Sequence, residues 1–517
     1  MLSGGKAGGD TPRAYLSQQL YEAYSQYHRD LGFVVRAYNL LDLENSDGCN
    51  CMHEIEQDPE LVRTVAEIII KNTSNVKDRQ NFWETAEHNL LSAMLYYASD
   101  LRDGNGKLLP IEKRSLGVIY NMLAGDRFVK ISEAIAALPP GHPAKAPFDL
   151  IKETPVQNRA NIVMGLGNRL GVFQNRLVDC ITKYNDIDMA LPGQRPCAYY
   201  CIISDQDSSL EFLSSLFFSL LFARLTDHAR RYCQDRRLPV RVNICLEEFC
   251  NIGYLGDSFL RTLSVIRSRN VALQIIIQSV AQISDRYPHR EWEEIISNCD
   301  WQQFLGCNDI MTAEYISKKC GSISVRTDAS QMPQMPLFSP VYNSTRPYSI
   351  NRSVTQRALM MPDELLQLDN SKCIVLPRGQ KPIMLTKITP EELPAFAGLK
   401  PSRVADHIPV WRETEAEYER QRQAAIEKEA KAGAMRKTAS GAETKDTAGP
   451  PEQQVLRPAG NGNGELSGLP VKPKPRGGEI LEKQHTPVDA GLLKENKFLK
   501  DFLAQQRMYK ENADSRG

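Results

Sequence analysis

The fold of this 517-residue chain is decided by residues 240–278, which read VRVNICLEEFCNIGYLGDSFLRTLSVIRSRNVALQIIIQ. A first apolar run, 240–246, ends in Glu247 and Glu248, and a second, 271–277, ends in Gln278. A helix-length segment separates the two runs, a pattern that predicts a strand–helix–strand unit with parallel strands. The carboxyl ends of parallel strands meet at one edge of a sheet, where ligands bind. The sequence therefore predicts an α/β fold with Glu247, Glu248 and Gln278 at that edge.

The two adjacent acids suggest nucleotide chemistry. Glu247 could hold a magnesium ion directly or through water, and Glu248 could orient or deprotonate the water that attacks a γ-phosphate. Gln278, at the end of the next strand, is placed to sense or position that water. The alternative is that both acids simply begin a helix and face its dipole. The spacing alone leaves both interpretations open.

Arg267 lies just before the second strand. In ring-shaped ATPases an arginine of one subunit often completes the site of its neighbour and stabilises charge on the transferring phosphate. Arg267 is thus a candidate for a residue that acts in trans. The alternative is a cation at a solvated helix end, where it favours the dipole.

Further strands are predicted from short apolar runs bounded by polar or turn residues. They cover residues 33–38, 197–204, 301–305, 373–376 and 383–387, the last two joined as a hairpin. Residues 62–170 instead show apolar positions at helical spacing and predict a group of helices.

Composition narrows the classes of protein. Lysine plus arginine equals aspartate plus glutamate, 63 of each, so a uniformly basic nucleic-acid coat is excluded. The longest strongly apolar run, 216–223, is far shorter than the ~20 residues that span a bilayer. The twelve cysteines are scattered, which favours reduced, buried thiols. No G-x-x-x-x-G-K-[ST] phosphate loop occurs, since Lys6 in the glycine-rich start is followed by Ala7.

Three segments carry a resemblance to a known family: LEEFCNIG at 246–253, IRSRNVALQIIIQS at 266–279 and NCDWQQFLG at 298–306. They resemble the core of the type IV coupling proteins, the TraG/TraD-class ATPases of conjugation and type IV secretion and relatives of FtsK-type DNA translocases. The family usually has Asp-Glu at the position of Glu247 and Glu248. The resemblance runs from about residue 19 to about residue 412. Trp83, Glu84 and Glu87 resemble a family signature, although Trp83 is better explained as a packing anchor.

The resemblance implies a RecA-like P-loop NTPase fold, a parallel sheet flanked by helices with an all-helical insert. It implies ATP and Mg²⁺ as cofactors, with Glu247 at the metal (Walker B) position and Glu248, Gln278 and Arg267 as catalytic residues. The implied partners are a relaxase, single-stranded DNA, the proteins of a type IV secretion channel and further copies of the chain in a homo-hexamer. The implied location is the cytoplasmic face of the bacterial plasma membrane. Compared with the family, the chain is expected to be amino-terminally truncated, lacking the membrane anchor and the phosphate loop.

The predicted domains follow from these observations. We expect a disordered start at 1–18, a motor domain at 19–60 and 186–412, a helical insert at 61–185, and a charged, largely disordered tail at 413–517 with a possible terminal helix at 491–509. The predicted function is that of a DNA-moving ATPase. The alternative, raised by the missing phosphate loop, is a non-enzymatic adaptor for relaxase or DNA, or an inactive remnant of the motor. A chromosome-partition translocase also fits the fold, but it fits the region around Trp83 less well.

Overall fold

The protein is described by a computed structural model that covers residues 16–74, 81–204, 208–331, 349–421 and 423–424. The strands in these residues are β1 (Val34–Asn39), β2 (Cys197–Ile202), β3 (Val242–Leu246), β4 (Val271–Ile275), β5 (Trp301–Phe304), β6 (Ser322–Gln331), β7 (Ser349–Ala358), β8 (Lys372–Pro377) and β9 (Ile383–Thr386). The α-helices are α1 (Leu16–Asp30), α2 (Cys51–Gln57), α3 (Leu61–Thr73), α4 (Asn81–Ser99), α5 (Leu116–Met122), α6 (Asp126–Ala137), α7 (Lys145–Lys152), α8 (Val156–Arg169), α9 (Arg176–Lys183), α10 (Glu211–Tyr232), α11 (Asp257–Val265), α12 (Val280–Arg286), α13 (Glu291–Ser297), α14 (Ile310–Cys320) and α15 (Pro362–Leu366).

The sheet consists of separate groups of paired strands. β1 pairs in parallel with β2, and β3 pairs in parallel with β4, with Leu246 opposite Ile275. β5, β8 and β9 form an antiparallel group in which β8 is central. The strands predicted from apolar runs are therefore found within two or three residues of the predicted bounds, including the β8–β9 hairpin.

A long ribbon that the sequence did not predict is formed by β6 and β7. The two strands pair antiparallel over ten residues, from Ser322 opposite Ala358 to Gln331 opposite Ser349. Both strands consist mostly of serine, threonine, arginine and glutamine and are largely exposed. A ribbon with neither face in the core lacks the apolar alternation by which strands are recognised in a sequence.

The chain between β1 and β2 is mainly helical, from α2 to α9, as predicted. These helices share one continuous core with the sheet: Ile69 of α3, Met94 of α4, Phe217 of α10 and Phe249 after β3 belong to the same cluster of buried side chains. The helices therefore form one packed unit with the β3–β4 pair. Whether residues 61–185 also act as a separate domain stays a prediction.

The described residues at two predicted boundaries are helical, and a helix over 413–437 is also predicted from the alanine-, glutamate-, lysine- and arginine-rich composition there. Helix α1 begins at Leu16, so residues 16–18 are part of a helix and not of a disordered start. Residues 411–421 are helical, and Glu415 accepts hydrogen bonds from Lys183 Nζ (2.9 Å) and Tyr184 Oη (2.5 Å). The beginning of the predicted tail is thus bound to the body of the protein. The remainder of the tail, with its predicted terminal helix, lies outside the described residues.

Two predictions from composition can be compared with the structure. The apolar run 216–223 lies inside α10, whose side chains are mostly buried, and no helix in the described part of the chain has the length and hydropathy needed to cross a membrane. All twelve cysteines are free thiols. No group of three or more histidine, cysteine, aspartate or glutamate side chains with metal-binding geometry occurs within the described ranges.

Candidate functional site at the carboxyl edge of β3 and β4

Glu247 and Glu248 are fixed beside the end of β4 by backbone pairing that continues past both strands. Ile276 N donates to Leu246 O, and Phe249 N donates to Ile276 O, both at 3.0 Å. The two acids therefore lie opposite the residues that lead to Gln278. Buried Val242, Ile244 and Leu246 hold β3 against the helices. The sheet edge that the sequence predicted is formed as expected.

Glu248 has a backbone conformation that is rare outside glycine. Its φ of 49° and ψ of 50° lie in the left-handed region, which costs a non-glycine residue on the order of 1 kcal/mol or more. The turn that follows stabilises it, since Asn251 N donates to Glu248 O (2.7 Å). Asn251 Nδ2 also donates to Glu248 Oε2 (3.1 Å). The Glu248 carboxylate is thus oriented by a neighbour in the same turn.

One carboxylate oxygen of Glu247, Oε2, is buried without a hydrogen-bond partner among the described residues. Burial, together with the nearby Glu248 charge, raises the pKa of Glu247. A divalent cation would offset both effects, and carboxylate oxygens are the ligands that Mg²⁺ prefers. Glu247 alone supplies a carboxylate oxygen of the kind that binds Mg²⁺, and its role as a ligand stays a prediction.

The helix-start interpretation of the two acids is not supported by the local structure. Residues 249–251 form only a single 3₁₀ turn, and the next α-helix, α11, begins at Asp257. A short turn of this kind has no substantial macrodipole for Glu247 and Glu248 to face.

Gln278 lies at the junction between β4 and α12, and its side chain is exposed. The junction is held by Ser279, whose Oγ accepts from Gln282 N (3.1 Å), and by Val280 N, which donates to Thr312 Oγ1 (2.8 Å). Gln278 and the two acids therefore lie at the same edge on fixed turns.

Arg267 lies at the opposite end of β4. It belongs to a 3₁₀ turn that precedes Val271, and the five residues of β4 separate it from the acidic edge by roughly 16 Å. Its side chain is 85% exposed and pairs with Asp300 at 2.9 Å. The structure therefore does not bring Arg267 together with Glu247 and Glu248 of the same chain, and only its predicted role in trans stays open.

The loop after Glu248 is held by the helical insert, a contact that sequence analysis missed. Asn72 at the end of α3 accepts from Tyr254 N (2.7 Å) and donates to Tyr254 O (2.9 Å). Gly253 lies in the same loop with φ +96°, and a Cβ there would come within 2.3 Å of Ser215 Oγ. Residue 72 is 182 positions from residue 254, so no local pattern could have indicated this pair.

A second missed contact joins two helices at this edge. Glu211 at the start of α10 forms an ion pair with Arg286 of α12 at 2.6 Å. Burial raises the pKa of Glu211, and the Arg286 charge opposes that effect. The pair links the helix after β2 to the helix after β4.

Comparison with known proteins identifies the family. Residues 15–390 match the family described as type IV secretory system conjugative DNA transfer. The chain is 25% identical over 384 residues to VirD4 of Rhizobium rhizogenes, covering 72% of this chain and 53% of VirD4. It is 29% identical over 157 residues to the conjugal transfer protein TraG of Rhizobium radiobacter, covering 29% of this chain and 23% of TraG. The chain thus spans about half the length of VirD4.

Solved structures show the same fold. The unbound form of the bacterial conjugative coupling protein TrwBΔN70 superimposes with a TM-score of 0.52 at 15% identity, covering 74% of this chain and 78% of that protein. TrwB in complex with ADP and Mg²⁺ gives a TM-score of 0.52 at 14% identity, covering 74% and 79%. These likenesses confirm the RecA-like P-loop ATPase fold predicted from the sequence. The chain belongs to the type IV secretory system conjugative DNA transfer family, the coupling proteins of conjugation and type IV secretion.

Proposed function

We propose that this chain is the motor part of a coupling protein that uses ATP hydrolysis to move relaxase-bound single-stranded DNA to a type IV secretion channel. The observation that carries the proposal is the Glu247–Glu248 pair, fixed at the carboxyl edge of β3 with one buried, unpartnered oxygen. Family membership and the binding of ADP and Mg²⁺ by TrwB support it.

Each residue of the edge has a role that its position supports. Glu247 would hold Mg²⁺, which supplies charge neutralisation for the phosphates when bound. Glu248, oriented by Asn251, would accept a proton from the attacking water. Gln278, on its fixed turn, would position that water. Arg267 would act on the site of a neighbouring copy in a homo-hexameric ring at the cytoplasmic face of the bacterial plasma membrane.

The test is the Mg²⁺-dependent ATP turnover of the purified chain and of its Glu248→Gln variant, with and without single-stranded DNA. We expect Glu248→Gln to lower turnover by roughly 10²- to 10⁴-fold, the usual contribution of a general base. The matched control is Glu294→Gln, because Glu294 is exposed on α13, away from the edge. Equal turnover in the wild type and in Glu248→Gln would disprove the assigned role.

A second candidate function follows from the sequence, in which no phosphate loop occurs. Backbone amides and a lysine of such a loop normally cradle the β- and γ-phosphates. A chain that binds relaxase or single-stranded DNA but shows no Mg²⁺-dependent turnover would be a non-enzymatic adaptor or a remnant of the motor. The turnover assay therefore separates the two functions.

A further inference from the structure

The loop that carries Glu248 is held by side chains from distant parts of the chain. It runs from Glu247, after the end of β3, to Gly256, just before α11. The side chains that bind its backbone are Ser214, Ser215 and Ser219 of α10, Tyr287 after α12 and Asn72 of α3. Within the described ranges, residues 253–255 make no hydrogen bond to another backbone atom. The conformation of this part of the loop therefore depends on the side chains that surround it.

Asn72 makes a contact that a serine cannot make. Its Oδ1 atom accepts from Tyr254 N (2.7 Å) and its Nδ2 atom donates to Tyr254 O (2.9 Å), so one side chain satisfies both backbone groups of one loop residue. The carbonyl of Ile252, by contrast, accepts from two different serines, so the loss of either one leaves it a partner. One of them, Ser215, also lies with its Oγ atom 3.4 Å from Asn72 Oδ1. Loss of the Asn72 amide would therefore release Tyr254 completely and loosen the contact next to it.

The residues around Asn72 extend its contact with the loop. Lys71 Nζ lies 4.6 Å from the centroid of the Tyr254 ring and pairs with Asp257 at the start of α11 (3.3 Å). One turn earlier in α3, Glu67 Oε1 accepts from Asp257 N (3.3 Å). The end of α3 is thus joined to the backbone and the ring of Tyr254 and to the first residue of α11, so a shift of this helix end would move the loop with it.

Glu248 depends on this loop because its own backbone conformation is unfavourable. A non-glycine residue keeps a left-handed conformation, here with φ 49°, only where the surrounding structure imposes it. The turn that imposes it is closed by Asn251, whose N atom donates to Glu248 O and whose side chain orients the Glu248 carboxylate. Asn251 precedes Tyr254 by only three residues. Displacement of Tyr254 is therefore transmitted to Asn251, and through Asn251 to the carboxylate.

We infer that Asn72 is a positioning residue for Glu248, an inference that rests on the role proposed above for that acid. Asn72 acts through Tyr254 and Asn251 and not on the substrate, so its removal lowers the rate of proton transfer to Glu248 and leaves nucleotide binding unchanged. Because Asn72 belongs to α3, the helical insert sets the conformation of the acid at the sheet edge. A ligand that shifts the end of α3 would change ATP turnover by the same route.

The first test measures the loop by hydrogen–deuterium exchange and mass spectrometry. We expect Asn72→Ala to speed exchange of the amides in 249–256 roughly tenfold, as for a lost hydrogen-bonding partner, and to leave α14, which packs in a different cluster of buried side chains, unchanged. The matched control is Thr73→Val, because the Thr73 hydroxyl bonds to Ile69 O (2.6 Å) and Arg169 Nη1 (3.0 Å) and not to the loop. Exchange of 249–256 at the same rate in the wild type and in Asn72→Ala would overturn the inference.

The second test measures steady-state ATP turnover and links the loop to Glu248. We expect Asn72→Ala to lower kcat roughly tenfold with KM for Mg·ATP unchanged, and to have no further effect on the residual turnover of Glu248→Gln. An equal loss in both backgrounds, or a rise in KM with kcat unchanged, would mean that Asn72 does not act through Glu248.

A second variant changes the same contact from the side of the loop. A Cβ at Gly253 would come within 2.6 Å of Asn72 Oδ1, so Gly253→Ala should reproduce the fall in kcat, and circular dichroism checks that each variant folds. Wild-type kcat in Gly253→Ala would contradict the inference. Absence of turnover in the wild type would instead refute the proposed hydrolysis, and the exchange rates alone would then decide whether Asn72 fixes the loop.

Discussion

An acidic side chain lies beside each of the two parallel strand pairs, and the two carboxylates differ in their partners. After β1, Asp47 is buried, and its Oδ2 atom accepts from Ala37 N (2.7 Å) and contacts His407 Nε2 (2.9 Å), whereas its Oδ1 atom has no hydrogen-bond partner among the described residues. After β3, Glu247 is only half-buried, and its buried oxygen has no donor within the described ranges. The Asp47 carboxylate joins distant segments of the chain through Oδ2, and no such contact holds the Glu247 carboxylate within the described ranges. The same α/β architecture thus supports a structural edge and a candidate functional edge.

The largest effect on stability is expected for Asp47→Ala, beside β1. Asp47→Ala would leave His407 buried without its partner and remove the acceptor of Ala37 N. Leaving a buried hydrogen-bonding group without its partner costs about 1–3 kcal/mol, so the free energy of unfolding in urea should fall by about that amount or more. The exposed Glu314→Ala is the control. A loss no larger than that of the control would mean that the Asp47–His407 contact does not stabilise the fold.

ATP turnover at the edge that carries Glu247 and Glu248 is expected to need Arg267 from a second copy of the chain. Arg267→Ala and Glu248→Gln should each abolish most ATP turnover. Mixed before assembly in equal amounts, they should regain roughly a quarter of wild-type turnover, because about one interface in four of a head-to-tail ring then has both residues intact.

The control for this mixing experiment is the exposed Arg261→Ala on α11, which should keep wild-type turnover when alone. Mixtures of Arg267→Ala and Glu248→Gln that stay as inactive as the separate variants would rule out action in trans. Since Arg267 is far from the acids of its own chain, that result would remove it from the site.

The smallest expected effect is that of Glu247→Gln on the melting temperature, and its sign depends on whether Mg²⁺ is present. Burial raises the pKa of Glu247 in the folded state, so the folded protein holds this proton more tightly than the unfolded chain does. Stability should therefore fall as pH rises from the ordinary carboxyl pKa through the raised one. Glu247→Gln removes this dependence. At pH values above the raised pKa, the variant should therefore melt at a slightly higher temperature than the wild type.

Mg²⁺ should reverse the order of the melting temperatures of the wild type and of Glu247→Gln. At tenfold its dissociation constant, a ligand stabilises the folded state by about 1.4 kcal/mol, which should raise the melting temperature of the wild type and not of Glu247→Gln. Thermal unfolding with Mg²⁺, with K⁺ at matched ionic strength as control, measures the difference. An equal rise in both proteins would show that Glu247 is not a ligand.

Much of this arrangement could be predicted from the sequence because it depends on local patterns. Apolar runs flanked by polar residues indicated seven of the strands, and the position of Glu247, Glu248 and Gln278 after such runs indicated their common edge. The role of Arg267 could not be judged in the same way. Its place just before β4 already put it at the amino end of that strand, but its partner Asp300 lies 33 positions away, and no local pattern indicated that pair.

The sequence by itself determined the α/β class, the order of the buried strands and the acidic pair, since side-chain periodicity and burial are encoded residue by residue. Only the tertiary structure decided which carboxylates are paired. His407 reaches Asp47 across 360 positions, and Asn72 holds the loop after Glu248 across 182. Contacts between distant residues depend on the packing of the whole chain and not on any local pattern.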